Sequence, residues 1–202
     1  MKSWKKYLVA VCVMFLIFVQ AQGAQAGMEP QALIESVANE TLERVRADKE
    51  KVKKDPQYIN QLVSELVLPH FDFETMSKWA MGKHWREAKK DQRKQFIEEF
   101  KSLLIRTYGT SLSEYSDQVI KYLPFRGDLS SGDVTVRSEV EQPGGFPIPI
   151  DYKLHIKGAN WKVYDVKIDD ISLVANYRTS FSKQIRRSGI DALIKKLAEK
   201  ND

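Results

Sequence analysis

The hydrophobic period of this 202-residue chain changes once, near Ser116, from helical spacing to strict alternation. That single switch points to helices packed on an antiparallel sheet, an α+β domain. Before it, residues 31–48 place Leu33, Ile34, Val37, Ala38, Leu42 and Val45 on one face, with Pro30 suited to the first turn. A charged stretch, 49–55, separates this helix from a second whose stripe is Ile59, Leu62, Val63, Leu66 and Val67 and which Pro69 closes. Asp72 is placed to cap a third, short helix carrying Phe73, Met76 and Trp79 up to Gly82. The fourth and longest starts near Asp91 and presents Phe96, Phe100, Leu103, Leu104 and Tyr108.

After the switch, residues 119–125 read as a first strand, and Val134, Val136, Ser138 and Val140 alternate with polar residues in a second. Gln142, Pro143, Gly144 and Gly145 turn the chain into a third strand, where Ile148, Ile150, Tyr152, Leu154 and Ile156 face one way. A fourth begins with Trp161 and Val163 in phase but continues with Tyr164, Val166 and Ile168, a slip that a bulge accommodates. Short connections make a four-stranded antiparallel meander, with helices on one side and water on the other. A helical region with Val174, Tyr177, Phe181 and Ile185 follows. Ser188 and Asp191 then suit a capping box for a last helix carrying Ile190, Leu193, Ile194 and Leu197. The alternating valines fill a core or line a concavity, and periodicity does not separate the two.

The chain opens with Lys2, Lys5 and Lys6, a 13-residue apolar run over residues 7–19 and then Ala24-Gln25-Ala26. These are the three parts of a secretory signal peptide, and the run is short for a span of roughly 30 Å of hydrocarbon. Residues 1–26 are expected to be cleaved. Residues 27–202 then form one domain, helix-rich over 27–116 and built from the sheet and C-terminal helices over 117–202. The net charge of +5 falls to +2 once the three signal lysines are gone, which removes the main support for nucleic-acid binding. The single cysteine, Cys12, lies inside the apolar run, so the product has no disulfide and no thiolate metal ligand.

Catalytic patterns are sparse. His70, Asp72 and Glu74 have the composition of a metal triplet but straddle a helix start, where Asp72 reads better as a cap. Asp165, Asp169 and Asp170 lack the glycine and closing glutamate of a calcium loop and suit a turn. Neither a nucleophile elbow nor a phosphate-cradling glycine loop occurs, and the chain is expected not to be an enzyme and to carry no cofactor. Lys49, Lys51, Lys53 and Lys54 read as a solvated link or as contacts to anionic headgroups or a charged partner, and Arg186 and Arg187 suit a helix end.

Several ordered motifs resemble the MlaC, or toluene-tolerance auxiliary, family. They include His70-Phe71-Asp72-Phe73-Glu74-x-Met76, Gly82-x-x-Trp85-Arg86, Gln92-Arg93-x-x-Phe96-x-x-x-Phe100 and Leu104-x-Arg106-Thr107-Tyr108. Trp161-Lys162-Val163-Tyr164-Asp165-Val166, Ser172-Leu173-Val174-x-x-Tyr177-Arg178-x-x-Phe181 and Gly189-x-Asp191-x-Leu193-Ile194 continue the match. Asp169-Asp170-Ile171 departs from it, since the family usually has glutamate, glycine and valine there.

The resemblance implies an NTF2-like curved sheet with an additional helical subdomain, and a periplasmic phospholipid carrier that maintains outer-membrane lipid asymmetry. Its partners would be an inner-membrane ABC transporter complex, with its substrate-binding membrane component, and an outer-membrane lipoprotein–porin complex. Hopanoid-associated binding and a non-catalytic adaptor domain remain as alternatives. On this reading the bound phospholipid is cargo, and its tails lie in a cavity walled by Tyr108, Val134, Val136, Val140, Ile148, Ile150, Tyr152, Leu154, Ile156, Trp161, Val163 and Phe181. Lys49, Lys51, Lys53, Lys54, Arg186 and Arg187 would meet the headgroup or a partner.

Overall fold

The computed structural model describes residues 28–55, 57–114, 119–142 and 144–201; the proposed signal peptide, residues 1–26, lies outside them. Helix α1, Pro30–Ala47, starts with proline in its first turn and buries Leu33, Ile34, Leu42 and Val45. The charged stretch is itself a short helix, α2, Lys49–Lys54, because Lys and Glu are good helix formers and need no core to face. Asp48 marks the break between them and accepts hydrogen bonds from Arg44 Nε at 2.6 Å and the Tyr58 hydroxyl at 2.7 Å. The second predicted helix is α3, Tyr58–Leu62, which widens into a π turn, Val63–Val67, and then tightens into a 3₁₀ turn, Leu68–His70. Pro69 has no N–H to continue the α ladder, so the chain leaves it there.

Asp72 caps α4, Phe73–Met81, accepting from the Thr75 N–H at 3.1 Å, and Gly82 ends it at φ 56°. A single turn, α5, His84–Glu87, precedes the long α6, Lys90–Glu114. The last helix, α7, Leu173–Asn201, is broken at Gly189, whose φ of 83° and ψ of 172° are non-helical. Asp191 there accepts from Gln92 Nε2 at 2.6 Å, linking the last helical segment to α6.

The sheet is an antiparallel meander of five strands rather than four: β1 Ile120–Tyr122, β2 Asp133–Val140, β3 Ile148–Lys157, β4 Asn160–Ile168 and β5 Ile171–Ser172. The fifth strand is two residues long, too short to show a period. Asp169 and Asp170 form its hairpin turn with φ of 49° and 61°, left-handed values that favour glycine. Replacing Asp170 with glycine is expected to stabilise the protein by about 0.5 kcal/mol, part of the left-handed penalty for a residue with a Cβ. Thermal unfolding measures it, and an unchanged or lower midpoint would show that Asp170 is unstrained.

Two cores result. One lies among α4, α6 and α7, where Met76, Met81, Phe96, Phe100, Phe181 and Leu193 are buried. The other lies on one face of the sheet beneath α1. The opposite face is not simply wet. Asp72 is buried there, with His155 Nε2 at 3.0 Å and Lys157 Nζ at 2.8 Å, while Tyr164 packs on Trp79 and His155 and donates to Asp133. Asp165, also buried, accepts from the Ser172 hydroxyl and the Val174 N–H at the start of α7.

Candidate functional site

Cross-strand register decides what each face of the sheet carries. Val134 lies opposite Leu154, Val136 opposite Tyr152, Ser138 opposite Ile150 and Val140 opposite Ile148. Across β3, Ile150 meets Ile168, Tyr152 meets Val166, Leu154 meets Val163 and Ile156 meets Trp161. Side chains alternate along a strand, so all of these share one face with Ile120 and Tyr122 of β1. The register shifts opposite Lys153 and Leu154, leaving Tyr164 as the extra residue of β4. That bulge keeps Val163 and Val166 on the same face despite their odd spacing, at the slip expected from the sequence.

Coverage of this face is uneven. Val136, Leu154 and Val163 are at most 1% exposed, and Leu33 and Ile34 of α1 pack on the same cluster. Val140, Ile148, Ile150, Tyr152 and Trp161 are half-buried, and Ile156 is 49% exposed. A dry strip thus runs out into partly open apolar surface. The polar groups its strands supply are phenols, the Trp161 indole and Ser138, all uncharged. Burial pushes the Tyr122 and Tyr152 hydroxyls above their ordinary range, and burial together with the neighbouring Tyr177 pushes Tyr108 up to about 12.

The strand residues expected to line a cavity therefore lie together. Tyr108 sits where the two cores meet. Phe181 is placed elsewhere: it belongs to the helical core, edge-on to Phe96 at 5.4 Å and Phe100 at 5.5 Å. Its stripe on α7 faces helices rather than the sheet, a choice that helical period alone does not encode. Leu33, Ile34, Tyr122, Phe125, Val166, Ile168 and Leu173 join the sheet cluster, beyond the wall that the strand period predicts. Val166 and Ile168 were legible as residues beyond the slip, and Leu33 and Ile34 as a helix stripe without a known partner.

Lys49, Lys51, Lys53 and Lys54 are exposed on α2, with Lys51 Nζ 3.6 Å from the centre of the Tyr58 ring. Arg186 and Arg187 are exposed on α7 just before the Gly189 break. The surface of the described residues also carries clefts. One, of about 240 Å³, runs along the β2 edge between Pro124–Gly127 and Arg137, and another, of about 280 Å³, lies between α1 and Leu66. Among the described residues no helix is long and apolar enough to cross a membrane.

The family model for MlaC protein matches residues 35–199. The chain belongs to the MlaC family. The intermembrane phospholipid transport system binding protein MlaC of Haemophilus influenzae is 26% identical over 205 residues, 98% of this chain and 93% of that protein. The toluene tolerance protein ttg2D of Pseudomonas putida is 29% identical over 167 residues, 82% of this chain and 77% of that one. A phospholipid-binding protein from Ralstonia solanacearum, solved in complex with a phospholipid, is 34% identical. It superposes with a TM-score of 0.79 over 86% of this chain and 97% of that chain. The family match thus spans the helical core and the whole sheet.

Proposed function

We propose that this chain is a non-catalytic periplasmic phospholipid carrier that holds acyl tails against the apolar face of its curved, NTF2-like sheet. The observation that carries this reading is the one-sided, partly open apolar face in a chain 34% identical to a protein solved with a bound phospholipid. Two acyl tails hold about 30 methylenes, worth on the order of 24 kcal/mol when withdrawn from water, so a carrier needs an apolar surface of matching extent. It needs no reacting groups. The charged headgroup stays in water, because burying its phosphate unpaired would carry a large desolvation cost.

Two tails occupy about 800 Å³, more than either of these clefts provides. On this reading the tails lie on the sheet face beneath α1, where the apolar cluster is, and Leu33, Ile34 and Val37 move aside to admit them. Delivery runs between an outer-membrane lipoprotein–porin complex and an inner-membrane ABC transporter complex, in support of outer-membrane lipid asymmetry. The exposed lysines of α2 and the Arg186-Arg187 pair are basic groups placed for docking. Residues 1–26 direct export, and residues 27–202 act as a single lipid-binding domain.

Protein purified without detergent from a Gram-negative host is expected to carry near-stoichiometric phospholipid. Denaturing mass spectrometry of organic extracts checks this, and repeated mild preparations free of lipid would overturn the carrier reading.

A further inference from the structure

We propose that the Tyr122 hydroxyl is the polar contact within the apolar site, donating a hydrogen bond to an ester carbonyl of the bound lipid and so selecting ester-linked glycerolipids. The inference deepens the carrier reading and rests on it. Tyr122 is on β1 opposite Ser138, and its ring packs on the cluster that contains Val136 and Leu154. Its hydroxyl oxygen is buried and makes no hydrogen bond among the described residues. A buried hydroxyl without a partner is disfavoured in a native structure and calls for one that arrives with a ligand.

The polar groups near it hold other partners in the described structure and none is bonded to it. The Ser138 hydroxyl donates to the Ile150 carbonyl at 3.3 Å, and the Glu35 carboxylate accepts from Gln31 Nε2 at 2.8 Å. Burial, then Tyr152 and then Glu35 each resist ionisation of Tyr122, so the group is a neutral donor in the physiological range. Two features of the missing acceptor follow. It is uncharged, since an anionic phosphate would be desolvated here and would face Glu35. It is attached to an apolar body that fits among Val136, Val140, Ile150 and Tyr152. An acyl-ester carbonyl meets both, whereas an alkyl ether oxygen is a much poorer acceptor in the same position.

The test uses lipid-free full-length mature protein and two probes, a diester phosphatidylethanolamine and its dialkyl ether analogue with matched chains. Both compete with vesicles, and native mass spectrometry reads occupancy. The wild type is expected to prefer the diester about five- to tenfold, the ratio that one hydrogen bond supplies. Tyr122→Phe is expected to bind the two lipids alike, at the level of the diether in the wild type. Lipid-free Tyr122→Phe should melt no lower than the wild type, because it loses only an unmet hydroxyl. Equal binding of both lipids by the wild type, or an unchanged diester preference in Tyr122→Phe, overturns the proposal and leaves the carrier reading standing. A lower melting point of the lipid-free variant also overturns it, because the hydroxyl would then be held by water. A wild type that takes up neither lipid removes the carrier reading itself.

Discussion

Ile150→Trp is expected to leave the protein folded while lowering its retention of phospholipid roughly fifteenfold in competition with vesicles. Ile150 lies in the half-buried part of the apolar face, opposite Ser138 and Ile168, so an indole there projects into space that a tail would use. Displacing about two methylenes forfeits about 1.6 kcal/mol of tail burial, which sets that factor. Met81→Trp is the control. Met81 is fully buried in the helical core, away from the sheet face, so the added bulk enters a filled core and costs about 1–3 kcal/mol of stability. If Ile150→Trp keeps both its fold and its lipid, Ile150 is not part of the wall. If it unfolds as readily as Met81→Trp, the face is ordinary core throughout.

Asp72→Ala is expected to destabilise the protein by about 3 kcal/mol, lowering the melting temperature by roughly 9 °C for a domain of this size. The buried carboxylate accepts from the Thr75 N–H at 3.1 Å, the Thr75 hydroxyl at 2.8 Å and Lys157 Nζ at 2.8 Å, and lies 3.0 Å from His155 Nε2. It therefore caps α4 and ties it to β3 with the same two oxygens. The cap accounts for about 1 kcal/mol and the charge-assisted bonds for the rest, reduced because the Lys157 side chain is half exposed.

The same group sets an acid limit. Burial alone would push the Asp72 carboxyl up, but hydrogen bonds from Lys157 and Thr75 and the positive charge of Lys157 outweigh it and hold it at about 2, below the ordinary 3.8. A depressed carboxyl contributes stability that is fully present above its unfolded value and is lost as pH falls through its folded one. About 2 kcal/mol should therefore disappear between pH 4 and 2 in the wild type and be missing from that limb in Asp72→Ala. Asp72→Asn retains an acceptor for Thr75 and should recover the cap's share. Chemical denaturation across that pH range measures both effects. Equal midpoints at neutral pH and parallel acid limbs would show that the network contributes nothing.

Local chemistry made much of the fold legible from the sequence. Proline opened α1, Asp72 and Gly82 bracketed α4, and alternation marked β2, β3 and β4 to within a residue or two. The mismatch between Val163 and Tyr164 announced the bulge, because a period of two does not survive an inserted residue. The shared face of Val134, Val136, Ile150, Tyr152 and Leu154 followed from the same period, since inward residues of adjacent strands meet once register is set.

The remainder depended on contacts between residues distant in sequence. Phe181 and Tyr108 both lie on apolar helix stripes, yet Phe181 packs wholly among helices while Tyr108 touches both cores, because a stripe records amphipathicity without naming its partner. Strand β5 exists only through its pairing with the end of β4. His155 meets Asp72 across 83 residues, and the buried Tyr122 hydroxyl is left without a partner by the way β1 packs on the sheet cluster. The sequence by itself determined the elements, their caps and the apolar side of each. Only the tertiary structure decided which apolar sides closed on one another and which stayed partly open, because packing across the chain settles where volume is filled.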